Sequence, residues 1–217
     1  MMSMNDIRKM MKLYAVTDRA WTGKQTLFEQ AEAAMRGGIT CLQLREKNMD
    51  KDEFLKEALE MKDLCRSYNV PLIINDDPYI AVKSGADGVH IGQKDMSLKE
   101  AREITGNGII IGVTAALPEL AVKAEQEGAD YIGSGAVFGS TTKSDAKPLS
   151  HDVLREITAS VKIPVVAIGG ITRDNMAKLA GTGIAGAALV SAIFSADNIE
   201  AECRYLMTLS EQIVSKN

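Results

Sequence analysis

Ile39-Thr40-Cys41-Leu42-Gln43-Leu44-Arg45-Glu46-Lys47 is a short apolar run that gives way to polar and charged residues. In an extended chain successive side chains alternate, so Gln43, Arg45 and Lys47 share one face while Leu42 and Leu44 share the other. Taken alone, this is a strand with one polar face, turned either to water or to a ligand. Its surroundings decide what it belongs to. A helical pattern over Thr26–Arg36 stops at Gly37-Gly38 just before it, and Asp50 is placed to cap a helix reaching Tyr68 just after it.

That strand-then-helix order recurs along the chain. The apolar runs predict strands over residues 12–17, 39–45, 72–76, 88–92, 109–113, 130–133, 164–168 and 186–190. Helical patterns follow at 26–36, 50–68, 78–83, from Ser97 onward, 117–127, 150–159, 172–180 and 199–214. Continuously apolar strands suit a parallel sheet covered on both faces, and eight such units predict an α/β fold, a single-domain (β/α)8 TIM barrel. The expected domain is the whole chain, 1–217, with residues 1–11 as an N-terminal extension. An open doubly wound sheet is the alternative, but it does not account for eight units so evenly spaced. Gly181-Thr182-Gly183-Ile184-Ala185-Gly186 matches a dinucleotide fingerprint in letters only, because it follows a helix and opens a strand.

Composition narrows the function classes. The 217 residues are 46% hydrophobic with a net charge of −4, enough for a full core and unfavourable for nucleic-acid or anionic-membrane partners. Asp6, Arg8 and Lys9 interrupt the N-terminal apolar residues, and no membrane-spanning run occurs, so a cytoplasmic protein is expected. Cys41, Cys65 and Cys203 are widely separated and odd in number, and read as small buried apolar residues. Two histidines, His90 and His151, and no GxSxG elbow disfavour a histidine-rich metal centre or a serine triad.

Barrel enzymes carry their chemistry at the C-terminal ends of the strands. Here those ends supply Gln43, Arg45 and Lys47, then Asn75 and Asp76, Gln93 and Asp95, Thr114, the loop to Lys143, Gly169-Gly170 and Val190-Ser191. Arg45, Lys47 and Lys143 on one rim repel each other unless a multiply charged anion, such as a diphosphate, joins them. Asp76 and Asp95 either pair with those cations or hold Mg²⁺, which takes one or two carboxylates and completes its shell with water and phosphate oxygens. A second anion site is available where Gly169-Gly170 and Val190-Ser191 offer backbone N–H groups, with hydroxyls from Ser140, Thr141 and Thr142 nearby. Glycine pairs are also ordinary turns. Two anion sites suggest two phosphorylated small-molecule substrates being joined, or one substrate with phosphates at both ends.

These residues also carry a resemblance. QLREK at 43–47, IINDD at 73–77, GVHIGQKD at 88–95, Thr141-Thr142-Lys143, AIGGIT at 167–172 and LVSAI at 189–193 together resemble the thiamine phosphate synthase family across almost the whole chain. The resemblance implies a Mg²⁺-dependent transferase that joins hydroxymethylpyrimidine diphosphate to hydroxyethylthiazole phosphate, releasing diphosphate through a dissociative, carbocation-forming step. It implies pyrimidine diphosphate binding by the stretch Gln43, Leu44, Arg45, Glu46 and Lys47 with Asn75, Thr114 and Lys143. Arg45, Lys47, Thr114 and Lys143 would be catalytic, and Asp76 and Asp95 would hold the metal. Ser140, Thr141, Thr142, Gly170, Val190 and Ser191 would take the thiazole phosphate. Within the first stretch Glu46 alternates to the outer face, where a structural ion pair is expected.

Several positions depart from the family pattern: Thr114 stands where serine is common, Ala116 where histidine is frequent, Ala136 and Gly139 where prolines are usual, and Ser140 where threonine is. A thiazole tautomerase-like paralogue would typically lack the carboxylate pair and depend on a histidine near position 116. A non-catalytic barrel that binds phosphorylated ligands would bind without turnover. The sequence is compatible with a homo-oligomer and does not fix the oligomeric state.

Overall fold

The computed structural model describes residues 2–23, 25–139 and 148–215. Eight parallel strands close into a barrel in sequence order: β1 Leu13–Val16, β2 Cys41–Leu44, β3 Leu72–Asn75, β4 Gly88–Ile91, β5 Ile110–Thr114, β6 Tyr131–Gly135, β7 Val165–Ile168 and β8 Gly186–Leu189. Ala15 pairs with both Leu42 and Leu189, so β1 closes the ring between β2 and β8.

The alternation of side chains divides the interior into two cores. One lies between barrel and helices and holds Leu42 and Leu44 of β2, Leu72 and Ile74 of β3, and Val89 and Ile91 of β4. The helices α2 Leu27–Arg36, α3 Lys51–Ser67, α4 Pro78–Ser84, α5 Leu98–Thr105, α6 Pro118–Gln126, α7 His151–Ser160, α8 Ser191–Phe194 and α9 Ile199–Val214 surround the strands. In α9, Ile199, Cys203, Leu206 and Ile213 are buried at helical spacing. The other core fills the barrel itself with Tyr14, Val16, Cys41, Ile73, Ile110, Tyr131, Val166 and Ala188.

The N-terminal extension contributes a helix, α1 Met4–Met10, whose Ser3 and Asp6 form a reciprocal capping box. Its Ile7 and Met10, with Met11, belong to the core inside the barrel. Thr40 Oγ1 donates to Met10 O at 2.8 Å beside the start of β2, so α1 closes the N-terminal end of the barrel. Gly-Ala-Asp occurs twice, at residues 85–87 and 128–130, and its aspartate has the same structural job each time. Asp87 Oδ2 accepts the Leu72 N–H and Asp130 Oδ2 accepts the Ile111 N–H, each at 2.8 Å, and Lys62 and Arg102 pair with those carboxylates.

One predicted helix is not formed. The stretch 172–180 is a turn followed by a single 3₁₀ segment, Met176–Leu179. Asn175 explains the difference: its Oδ1 accepts the Thr172 N–H and its Nδ2 donates to Gly170 O, both at 2.8 Å. A short amide that bonds to local backbone competes with helical hydrogen bonding.

Candidate active site

The C-terminal mouth of the barrel gathers the polar residues that end β1 to β5. Arg45 follows β2; its backbone N–H donates to Thr17 Oγ1 at 2.9 Å and its guanidinium reaches Asp18 at 3.2 Å. Lys47, two residues further, pairs with Asp76 Oδ2 at 2.5 Å. Leu44 is fully buried between barrel and helices, so within the stretch 43–47 its side chain faces the outer core. Glu46 likewise turns away: Arg19 Nε donates to its Oε2 at 2.9 Å, and the same guanidinium also holds Glu57. Its carboxylate belongs to an outer ion-pair cluster with Arg19 and Glu57, the structural pairing expected for it.

Asp76 occupies the left-handed backbone region at φ 66°, a conformation that costs little for Asp or Asn and more for most other residues. Its N–H is tied to His90 O at 2.8 Å. Asp77 then caps α4, accepting the N–H groups of Tyr79 and Ile80. Across from Asp76, Asp95 accepts the Gly92 N–H at 2.7 Å. Partial burial, and then the adjoining Asp76 carboxyl, raise the Asp95 pKa above the ordinary carboxylate value, against the lowering effect of the Gly92 N–H and Lys47. The two adjoining carboxyl groups form an oxygen donor set suited to a hard dication. Lys47 is the cation against Asp76. Beside them, the Asn75 Nδ2 is buried with no hydrogen-bond partner among the described residues, and such a donor calls for an acceptor that a ligand would supply.

Below this rim runs a buried polar chain. Gln43 Nε2 donates to Tyr14 Oη at 2.6 Å, and Tyr14 Oη lies 2.9 Å from Tyr131 Oη. Tyr131 Oη is 3.0 Å from His90 Nδ1, and His90 Nε2 is 2.9 Å from Thr114 Oγ1. Burial raises the pKa of both tyrosines well above the phenol value, so each remains a neutral hydroxyl. Room for Tyr131 comes from Gly112, because a Cβ there would lie 2.0 Å from Tyr131 Cζ. Sequence reasoning singled out Gln43 and Thr114 but missed Tyr14, Tyr131 and the interior role of His90. The available signal was a polar aromatic or imidazole at an inward position of an otherwise apolar strand.

On the opposite side of the mouth, Gly169 and Gly170 both have positive φ, and a Cβ on Gly170 would lie 2.6 Å from Phe138 O. The turn therefore requires glycine for packing. Val190 is the single residue between β8 and the four-residue α8, Ser191 opens that helix, and both are half-buried. The predicted residues Ser140, Thr141, Thr142 and Lys143 lie outside the described residues. Ala116, where a histidine would mark the paralogue, packs its methyl against the outer core.

The family model described as thiamine monophosphate synthase matches residues 13–193. The chain belongs to the thiamine monophosphate synthase family. Members of that family with similar sequences include a thiamine-phosphate synthase of Clostridium acetobutylicum, 46% identical over 206 residues, covering 95% of this chain and 96% of the relative. One of Ruminiclostridium cellulolyticum is 47% identical over 197 residues, 91% of this chain and 94% of the relative. Among solved structures, a thiamine phosphate pyrophosphorylase from Pyrococcus furiosus superposes with a TM-score of 0.88 at 36% identity, covering 96% of this chain and 99% of that one. Membership thus spans the barrel from β1 to α8, and the mouth described above is the C-terminal face where such a barrel carries its site. No helix among the described residues is long and apolar enough to cross a membrane.

Proposed function

We infer that this protein is a thiamine-phosphate synthase, a transferase that joins hydroxymethylpyrimidine diphosphate to hydroxyethylthiazole phosphate to make thiamine phosphate and diphosphate, with the whole chain as one catalytic domain. The observation that carries this reading is the cluster of Asp76, Asp95, Lys47 and the unpartnered Asn75 amide at one end of the barrel mouth. Two adjoining carboxyl groups suit a dication, and a cation with an amide donor beside them suits the oxygens of a diphosphate.

In this reading Asp76 and Asp95 hold Mg²⁺, and Lys47 turns from Asp76 to the diphosphate. Arg45, kept near the mouth by Asp18, supplies a second cation, and Asn75 Nδ2 and the Thr114 hydroxyl donate hydrogen bonds. Lys143 would add a third cation. Bound Mg²⁺ supplies neutralisation of the charge that accumulates on the departing diphosphate.

The reaction breaks the bond between the substrate methylene carbon and the diphosphate oxygen, which leaves with both electrons. The methylene cation, delocalised into the aminopyrimidine ring, then accepts the lone pair of the thiazole nitrogen, forming the new carbon–nitrogen bond. No proton needs to be abstracted, so the site needs preorganised positive charge and donors aimed at the leaving group. Gly170, Val190 and Ser191, with Ser140, Thr141 and Thr142, would seat the thiazole phosphate on the far side of the mouth.

The test is direct. Purified protein supplied with Mg²⁺ and both phosphorylated precursors should release thiamine phosphate and diphosphate in equal amounts. Folded protein that binds both precursors and forms no product would refute the reading and leave a binding barrel.

A further inference from the structure

The buried chain from Gln43 to Thr114 has a property beyond holding the barrel together: its links share one direction. A tyrosine hydroxyl has one proton, and a neutral imidazole has one N–H and one acceptor nitrogen. With Gln43 Nε2 donating to Tyr14 Oη, the Tyr14 proton is left for Tyr131 Oη, and the Tyr131 proton for His90 Nδ1. The ring proton of His90 then sits on Nε2 and is donated to Thr114 Oγ1. The Thr114 hydroxyl keeps its own proton for a donor bond into the mouth. Gln43 Oε1 takes no part in these bonds and is left as an acceptor.

The opposite sense is also self-consistent. Thr114 would donate to His90 Nε2, every link would reverse, and the Gln43 amide would rotate so that Oε1 faced Tyr14 and the NH₂ group faced the ligand. The two senses differ at both ends at once, because chain-linked hydrogen bonds orient one another. An anion against Thr114 requires a donor there and so selects the first sense.

We propose that Tyr14, Tyr131 and His90 are positioning residues through which an anion at Thr114 fixes the Gln43 amide with its oxygen toward the pyrimidine, making the site prefer a ring amino group over a ring oxo group. The proposal rests on the pyrimidine diphosphate reading above for its substrate. The relay supplies specificity without touching the ligand itself: an amino group donates to Gln43 Oε1, whereas an oxo group faces it with a second acceptor. The high phenol pKa of both tyrosines keeps each link a single-proton carrier at working pH.

Two measurements test it. The chain has two histidines, so ¹⁵N-histidine spectra are readable, and saturating inorganic diphosphate should place His90 in the Nε2–H form. Diphosphate-bound protein with His90 in the Nδ1–H form overturns the relay. Calorimetric titration, without the thiazole substrate, then compares the aminopyrimidine diphosphate with its oxo counterpart. Tyr14→Phe should reduce the wild-type amino-over-oxo preference about tenfold, the size of one mismatched buried hydrogen bond, with inorganic diphosphate binding little changed. Tyr131→Phe breaks the same chain one link further and serves if Tyr14→Phe does not fold. Variants that keep the wild-type preference overturn the relay. A wild-type protein that binds inorganic diphosphate but neither pyrimidine overturns the substrate reading instead, whatever the tautomer of His90.

Discussion

Gly112→Ala offers a sharp test of how the barrel interior is built. The backbone of Gly112 is not in a left-handed conformation, so an alanine there meets no torsional penalty. The obstacle is Tyr131, with Cζ, Cε1 and Oη lying 2.0, 2.3 and 2.4 Å from the added Cβ. These atoms belong to a rigid ring buried on every side, which cannot yield as the tip of a flexible chain would. Overpacking a core by one methyl typically costs about 1–3 kcal/mol. Moving the phenol also strains its bonds to Tyr14 and His90, and leaving one buried polar group unpaired adds about 1–3 kcal/mol. The expected loss is about 2–6 kcal/mol, or a fall in melting temperature of about 4–24 °C for a chain of this size.

Urea unfolding followed by circular dichroism measures the loss, and a double-mutant cycle assigns it. In a Tyr131→Ala background the ring is gone, and Gly112→Ala should become neutral or stabilise slightly, since alanine restricts the unfolded chain by about 0.4–1 kcal/mol relative to glycine. A Gly112→Ala protein within 0.5 kcal/mol of wild type, a threshold set by ordinary surface substitutions at roughly that size, would refute the packing argument. So would a cost that persists unchanged without the ring.

Two further predictions concern the rim and the thiols. Asp76→Asn keeps a side chain tolerant of φ 66° while removing the charge opposite Lys47 and beside Asp95, so turnover should fall on the order of 10²-fold, by analogy with lost transition-state donors, with little change in melting temperature. If activity is retained, Asp76 has no part in metal or diphosphate binding. Burial raises the Cys65 and Cys203 pKa to about 12 and holds Cys41 well above its ordinary value, so almost no thiolate exists near pH 8. A chromogenic thiol reagent should therefore titrate all three cysteines only after denaturation, and rapid labelling of the native protein would contradict the burial of these side chains.

The elements most legible in the sequence were those set by local pattern. Strand and helix positions follow from apolar periodicity and caps, and the barrel follows from eight repetitions of them. Rim residues follow too, because in a parallel barrel the residue after each strand is carried to the same end whatever its chemistry. The helix α1 was legible in principle: Ser3 and Asp6 spell a capping box, and Ile7, Met10 and Met11 repeat at helical spacing. The missing helix over 172–180 was less so, since an asparagine at 175 bonding to residues 170 and 172 is a choice made in three dimensions.

Partnership is where periodicity runs out. The sequence placed Arg45, Lys47, Asp76 and Asp95 together on a rim, but only the folded mouth pairs Arg45 with Asp18 and Lys47 with Asp76, and gives Glu46 to Arg19. Charge pairing depends on distances of a few ångströms between loops that strand order alone does not specify. The clearest case is the contact of Tyr14 with Tyr131, 117 residues apart and on strands that are not neighbours. Alternation determines that both side chains point inward; closure of the barrel, with a glycine at 112 to admit a ring, brings their hydroxyls within hydrogen-bonding distance across its axis.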